Sequence, residues 1–235
     1  MDQTKHRILK TYFGFTQFRR GQEETIDALL AGKDVLAVMP TGAGKSLCYQ
    51  IPAMILEGLT VVISPLISLM KDQVNALSDA GIPAAYLNSS LSPREYADTL
   101  AAAIRGDYRI LYIAPERLQR EDMYRLGENL KIPMVVIDEA HCISQWGHDF
   151  RPSYLGIAEF IRILSKRPIT AAFTATATGK VREDIVRILK LHDPFLLTTG
   201  FNRENLYFGV ERPPDKVRSL LSYLENHRNK SGIIY

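Results

Sequence analysis

No apolar run in the 235 residues approaches the ~20 needed to span a bilayer, so no membrane partner is expected. The opening residues, MDQTKHRILK, lack the apolar stretch and small-residue cleavage site of a secretory leader. Cysteine is scarce. Cys48 and Cys142 stand in unrelated contexts without CxxC spacing, so neither a disulfide framework nor a zinc site is expected. Both read as reduced thiols of a cytoplasmic protein. There is no internal repeat and no low-complexity segment, which sets aside repeat architectures. Excess charge is small as well: the formal net charge is +3 and the pI near 8.8, which permits a phosphate-bearing partner without demanding one. The oligomeric state is not written in the sequence, and a monomer is the default expectation.

What is present is ample material for a core, with 46% hydrophobic and 23% charged residues. Short β-branched runs alternate with longer amphipathic ones, the pattern of an α/β fold whose mostly parallel sheet is covered by helices on both faces. Strands are expected at 35–40, 60–65, 84–88, 109–115, 134–140, 169–176 and 195–199. The near-continuous hydrophobicity of 61–63 and 135–137 argues for strands buried on both sides. Helices are expected at 44–57, 67–77, 93–105, 152–165 and 178–189; Ser92 can cap the third of these and Pro93 suits its first turn. ERPPDK (211–216) breaks the periodicity and reads as a linker, followed by a helix at 215–228. SGIIY (231–235) reads as a strand, either a natural edge strand or the start of a second domain.

The chemistry begins at PTGAGKS (40–46), after a strand and opening a helix. That context is what a phosphate-binding loop requires. Gly42 and Gly44 let the backbone approach a phosphate, and successive N–H groups can form an anion nest with the positive end of the helix behind it. Lys45 would reach the β- and γ-phosphates and Ser46 would ligate Mg²⁺, with Thr41, Ala43 and Leu47 completing the ATP contacts. The strict pattern GxxxxGK[ST] has glycine where this chain has Met39.

A phosphate loop alone does not select a reaction. DEAH (138–141) supplies the second half, at the carboxyl end of the strand at 134–137. Ligands of an open parallel sheet collect at the carboxyl ends of its strands, so both motifs should face one crevice. Asp138 would hold Mg²⁺, and Glu139 would orient and activate the attacking water. His141 fits a coupler between the nucleotide site and a neighbouring ligand.

PTGAGKS and DEAH together resemble superfamily 2 helicases, and HCISQWGHDFRPSY (141–154) is similar to the RecQ DNA helicases. The resemblance covers essentially the whole chain. It implies a RecA-like P-loop NTPase domain over 1–210, the first of that family's two motor domains, with 211–235 as linker and start of the second. FGFTQFRRGQEETI (13–26) resembles the family's adenine-recognition segment; SPLISLMKDQV (64–74), IAPERL (113–118), FTATAT (173–178) and FNRENLYF (201–208) resemble further motifs. Gln22 has the donors and acceptors to read an adenine edge. Phe15, where the family usually has tyrosine, could stack on the base, and Arg19 could stack or contact a phosphate. The resemblance also implies ATP-driven translocation on single-stranded or partly duplex DNA with 3′ to 5′ polarity. Arginines of the second domain complete the family's ATP site, so these residues alone should bind ATP and Mg²⁺ yet hydrolyse slowly and unwind nothing.

Trp146 is the single tryptophan, and with His148, Phe150 and Arg151 it interleaves aromatic and basic groups as a single strand requires. The resemblance makes this segment an aromatic-rich loop that senses DNA. Ser64, Ser68, Lys71 and Arg117 are phosphate candidates, and Thr174 and Thr176 relay candidates. Two other readings stay open: an RNA helicase of the DEAH or DEAD type, and a nucleotide-dependent binding module without hydrolysis.

Overall fold

The computed structural model describes residues 2–120, 123, 127, 130–200 and 206–234. By contacts the chain divides into two compact units, Met1–Phe201 and Asn202–Tyr235.

The first unit is built on a seven-stranded sheet, all parallel: β1 (Val35–Val38), β2 (Thr60–Ile63), β3 (Ala84–Leu87), β4 (Ile110–Ile113), β5 (Met134–Ile137), β6 (Ile169–Thr174) and β7 (Phe195–Thr198). Their order across the sheet is β3-β4-β2-β5-β6-β1-β7. Every expected strand is present, most ending one or two residues early because the next residues turn out of the sheet. β1, β2, β4 and β5 are buried along their whole length. Successive side chains then serve two cores. Val61 and Ile63 face one that takes in Ile157, Phe160 and Ile185; Val62 faces the other, with Tyr49, Met70 and Phe173.

The helices are α1 (Asp2–Phe13), α2 (Gln22–Leu30), α3 (Lys45–Ile55), α4 (Ile67–Asp79), α5 (Pro93–Arg105), α6 (Gly156–Ile163) and α7 (Gly179–Leu189). The α5 start is local chemistry: the Ser92 side chain accepts from Glu95 N, and the Glu95 carboxylate accepts from Ser92 N, a capping box with Pro93 in the first turn. The expected helix at 152–165 is split, a short 3₁₀ turn (Pro152–Leu155) leading into α6. Helices α1 and α2 are findings that the sequence reading did not contain. Their buried residues, Ile8, Leu9 and Ile26, form a small third core against Ile51 of α3. That core clamps the helix carrying the phosphate loop.

In the second unit, residues 206–213 have no regular structure and α8 (Lys216–Asn226) is capped by Asp215, whose carboxylate accepts from Arg218 N. The strand expected at 231–235 is not formed over the described residues 231–234. A strand needs a hydrogen-bonded neighbour, and among the described residues of this unit none is in a strand. The first five residues of the FNRENLYF motif, 201–205, lie outside the described residues.

Candidate active site

β1, β6 and β5 are neighbours, so the loops at their carboxyl ends share one edge of the sheet. Register aligns Val38 with Thr174 and Ile137 with Ala172, which brings Asp138 and Glu139 level with the end of β6. Met39 N donates to Thr174 O at 3.0 Å and Asp138 N to Ile63 O at 2.9 Å, fixing both exits.

The phosphate loop leaves β1 through Pro40 and Thr41 and enters α3 at Lys45. Gly42 and Gly44 have φ of +83° and +79°, the left-handed region that favours glycine. Gly44 is held twice over. A Cβ there would lie 2.4 Å from Gln22 Nε2, because that amide donates to Ala43 O at 3.1 Å and Gly44 O at 3.0 Å. Gln22 Oε1 accepts from Arg19 N at 2.8 Å, and the Arg19 guanidinium donates to Gly42 O. The adenine-segment residues Arg19 and Gln22 thus brace the loop backbone. Gln22 is buried, whereas Phe15 is 48% exposed; Phe13 and Phe18 pack against the core.

Lys45 Nζ donates to Met39 O at 3.3 Å, curled over its own loop. Its charge is felt by both acids and favours the ionised form of each. Phosphate loop and DEAH open on the same side of the sheet, because β1 and β5 flank β6 in parallel and Thr41, Glu139 and His141 line one cavity. Burial, and then the Glu139 charge, nevertheless push the Asp138 carboxyl up to about 6. Ser64 Oγ at 3.5 Å and the Glu139 N–H at 3.0 Å are its hydrogen-bonding neighbours, and Tyr154 OH donates to Asp138 O at 2.9 Å. Glu139 takes φ +47° and ψ +46°, a strained conformation for a non-glycine residue. Its pKa is lowered, first by its hydrogen bond with His141, Oε2 to Nδ1 being 3.3 Å.

His141 is buried and its Nδ1 also lies 2.8 Å from Thr174 Oγ1. Its ring stacks on His148 at 4.1 Å between centroids. One imidazole thus touches Glu139, the end of β6 and the aromatic segment. A cavity of about 520 Å³ opens here, lined by Thr41, Glu139, His141, His148, Arg151 and Thr176 among others.

The aromatic segment is a loop, as its Gly147 and His148 imply, with Trp146 65% exposed and Phe150 half-buried. Arg151 is gripped by Asp149 through Nε (3.0 Å) and Nη2 (2.8 Å), and its Nη1 reaches Pro65 O at 3.4 Å. Gly147 N donates to Ser144 O at 2.9 Å, and a Cβ on Gly147 would sit 2.3 Å from His141 O. Gly147→Ala is expected to push the loop off His141 and to cost about 1–3 kcal/mol in thermal unfolding. The emission of Trp146 should shift with it; unchanged emission and stability would show that the loop accommodates the methyl group.

Other candidates are not gathered in. Arg117 donates to Asn88 O at 3.2 Å and lies over the Tyr96 ring, toward the β3 side of the sheet. Lys71 and Ser68 are exposed on α4, and Ser64 alone of that motif meets the acids. Tyr154, Ser144 and Asp149 were not found from sequence. They act through partners on other segments, and no spacing signals that.

Residues 19–185 match the family described as DEAD/DEAH box helicase. The chain belongs to that family. Over 229 residues, 97% of this DEAD/DEAH chain, it is 49% identical to the ATP-dependent DNA helicase RecQ of Bacillus subtilis strain 168, covering 39% of that protein. Over its full length it is 46% identical to the protein of the same name from Pasteurella multocida strain Pm70, covering 37% of it. The DEAD/DEAH chain thus spans well under half the length of these relatives. Its fold is similar to that of the DUF1998 helicase MrfA, with a TM-score of 0.72 at 20% identity over 95% of this chain and 37% of that one.

Proposed function

We propose that this chain is the first motor domain of a RecQ-type ATP-dependent DNA helicase, working in the cytoplasm. It binds ATP and Mg²⁺ at the carboxyl ends of β1 and β5 and couples the nucleotide's state to a single strand at the aromatic loop. The observation that carries this reading is the cavity lined by Thr41 of the phosphate loop and by Glu139 and His141 of DEAH, which opens both motifs on one space at the carboxyl ends of β1 and β5. The names of the relatives support the choice of DNA and of ATP.

In this scheme Lys45 leaves Met39 O for the β- and γ-phosphates, while the loop amides and the start of α3 accept the rest of the negative charge. Ser46 and Asp138 offer hard oxygen donors, and a buried carboxylate whose proton affinity is raised gains from a cation, so the pair fits Mg²⁺. When bound, the metal would neutralise charge on the phosphates. Glu139 then orients the attacking water, with His141 steadying its carboxylate. Phe15 is open for stacking on the base. For Gln22 to read an adenine edge it must trade its bonds to Ala43 O and Gly44 O, so base recognition and loop geometry share one amide. His141 and Thr174 link hydrolysis to the loop carrying Trp146.

Equilibrium titration with ATP-Mg tests the core of this. Lys45→Ala should weaken binding about 10- to 100-fold, the loss of a charge-assisted contact. A wild-type chain that binds no nucleotide would end the proposal. Titration with matched single-stranded DNA and RNA separates the DNA reading from an RNA helicase, which preferential RNA binding would favour.

A further inference from the structure

The Trp146 ring has a neighbour that the nucleotide mechanism does not use. Lys180, exposed and second in α7, holds its ammonium 3.2 Å from the indole centroid. A cation in the first turn of a helix opposes the helix dipole, which offsets part of what Lys180 gives α7 through Asp184 one turn on. The same helix holds the root of the loop. Ser144, fully buried, donates from Oγ to Asp184 Oδ2 at 2.7 Å, and the same Oγ accepts from Trp146 N at 3.2 Å. Loop tip and loop root are thus both tied to α7. Helix α7 follows directly on Thr174 and Thr176, the segment that touches His141.

We propose that Lys180 and Trp146 form one contact for single-stranded nucleic acid, the cation covering one face of the indole and leaving the opposite face for a base. The ring's exposure supports an open second face. Stacking a base there brings the strand's phosphates beside an ammonium already fixed in place, so one nucleotide is held by its π-face and its charge together. Lys180 is then a nucleic-acid-binding residue contributed by α7, outside the aromatic loop. Binding at Trp146 bears on the stretch 174–180 that ends at the nucleotide site. This rests on the reading of the chain as a helicase motor domain, and it assigns a residue that reading does not need.

Trp146 is the only tryptophan in the chain, so tryptophan emission reports the surroundings of this one ring. Two measurements on the 235-residue chain are required: emission of the free protein, and affinity for a labelled oligothymidylate across a salt series. Lys180→Ala should shift the emission of the free protein. It should weaken oligonucleotide binding about 3- to 10-fold at low salt and reduce the slope of log K against log salt by about one. Lys180→Arg should keep both properties. If Lys180→Ala leaves the emission unchanged, or leaves affinity and slope unchanged while wild type binds, this inference is overturned and the helicase reading stands. If the wild-type chain binds no oligonucleotide at any salt concentration, both fall.

Discussion

Glu139→Gln is expected to lower ATP turnover by about 10²- to 10⁴-fold, the usual contribution of a positioned general base, while ATP-Mg still binds. The amide keeps the side chain's size and cannot take a proton from water. The setting of Glu139 makes the result informative. Its carboxylate is held in the ionised form first by His141 and then by the Lys45 charge, which leaves it able to accept hydrogen bonds from an attacking water. Asp138, one residue earlier, is pushed the other way by burial. The two adjacent carboxylates sit in different surroundings, Asp138 buried and Glu139 hydrogen-bonded to His141, so substituting one does not test the other. Single-turnover hydrolysis measures the effect even where the basal rate is slow. Turnover equal to wild type would take the base role from Glu139 and leave the loop without a hydrolytic partner.

The largest effect on stability is expected far from the nucleotide, at Asp34. This side chain is nearly fully buried just before β1. Its Oδ1 accepts from Thr170 N at 2.9 Å and from Arg167 Nη1 at 3.3 Å; its Oδ2 accepts from His192 N at 2.7 Å and from Arg167 Nη2. Its backbone oxygen accepts from Phe195 N at 2.8 Å. One carboxylate therefore joins the starts of β1 and β6 to the connection from α7 into β7. Asp34→Ala would leave two backbone N–H groups and a guanidinium without their acceptor. The expected loss is about 3–5 kcal/mol, which for a chain of this size lowers the melting temperature by roughly 6–20 °C. Arg167→Ala should cost less, because its guanidinium is partly exposed and water can replace part of what it gives. A loss below about 1 kcal/mol for Asp34→Ala, as for a surface ion pair, would show that the network is not holding the sheet edge.

How much of this could be read from the chain follows the distance over which each signal acts. Strands β1, β2, β4 and β5 were legible because a parallel strand buried on both faces must be apolar along its whole length, as Val61 to Ile63 and Val135 to Ile137 are. The α5 start was legible because Ser92, Pro93 and Glu95 cap it among themselves. The phosphate loop and DEAH were legible because glycine, lysine and paired acids at strand ends have few other uses. Helices α1 and α2 were not found, because what they bury against lies elsewhere in the chain: Ile8, Leu9 and Ile26 pack on Ile51 of α3, and Ala28 and Leu29 join the core that holds Val35 and Ala37 of β1. The strand expected at the chain's end rested on two isoleucines alone. Ile233 and Ile234 are exposed, with no strand of their own unit beside them.

The sequence by itself determined the strands, the glycine turn and the chemical groups that serve a triphosphate, since each depends on residues close along the chain. Only the tertiary structure decided what those groups do with one another. It spent the Gln22 amide on the loop 21 and 22 residues away. It seated His141 between Glu139, Thr174 and His148, and it laid Lys180 over Trp146. It also set Asp34 against Thr170, 136 positions on. Such pairings cost chain entropy that no local pattern offsets; they exist because the order of strands in the sheet brings β1, β5 and β6 side by side.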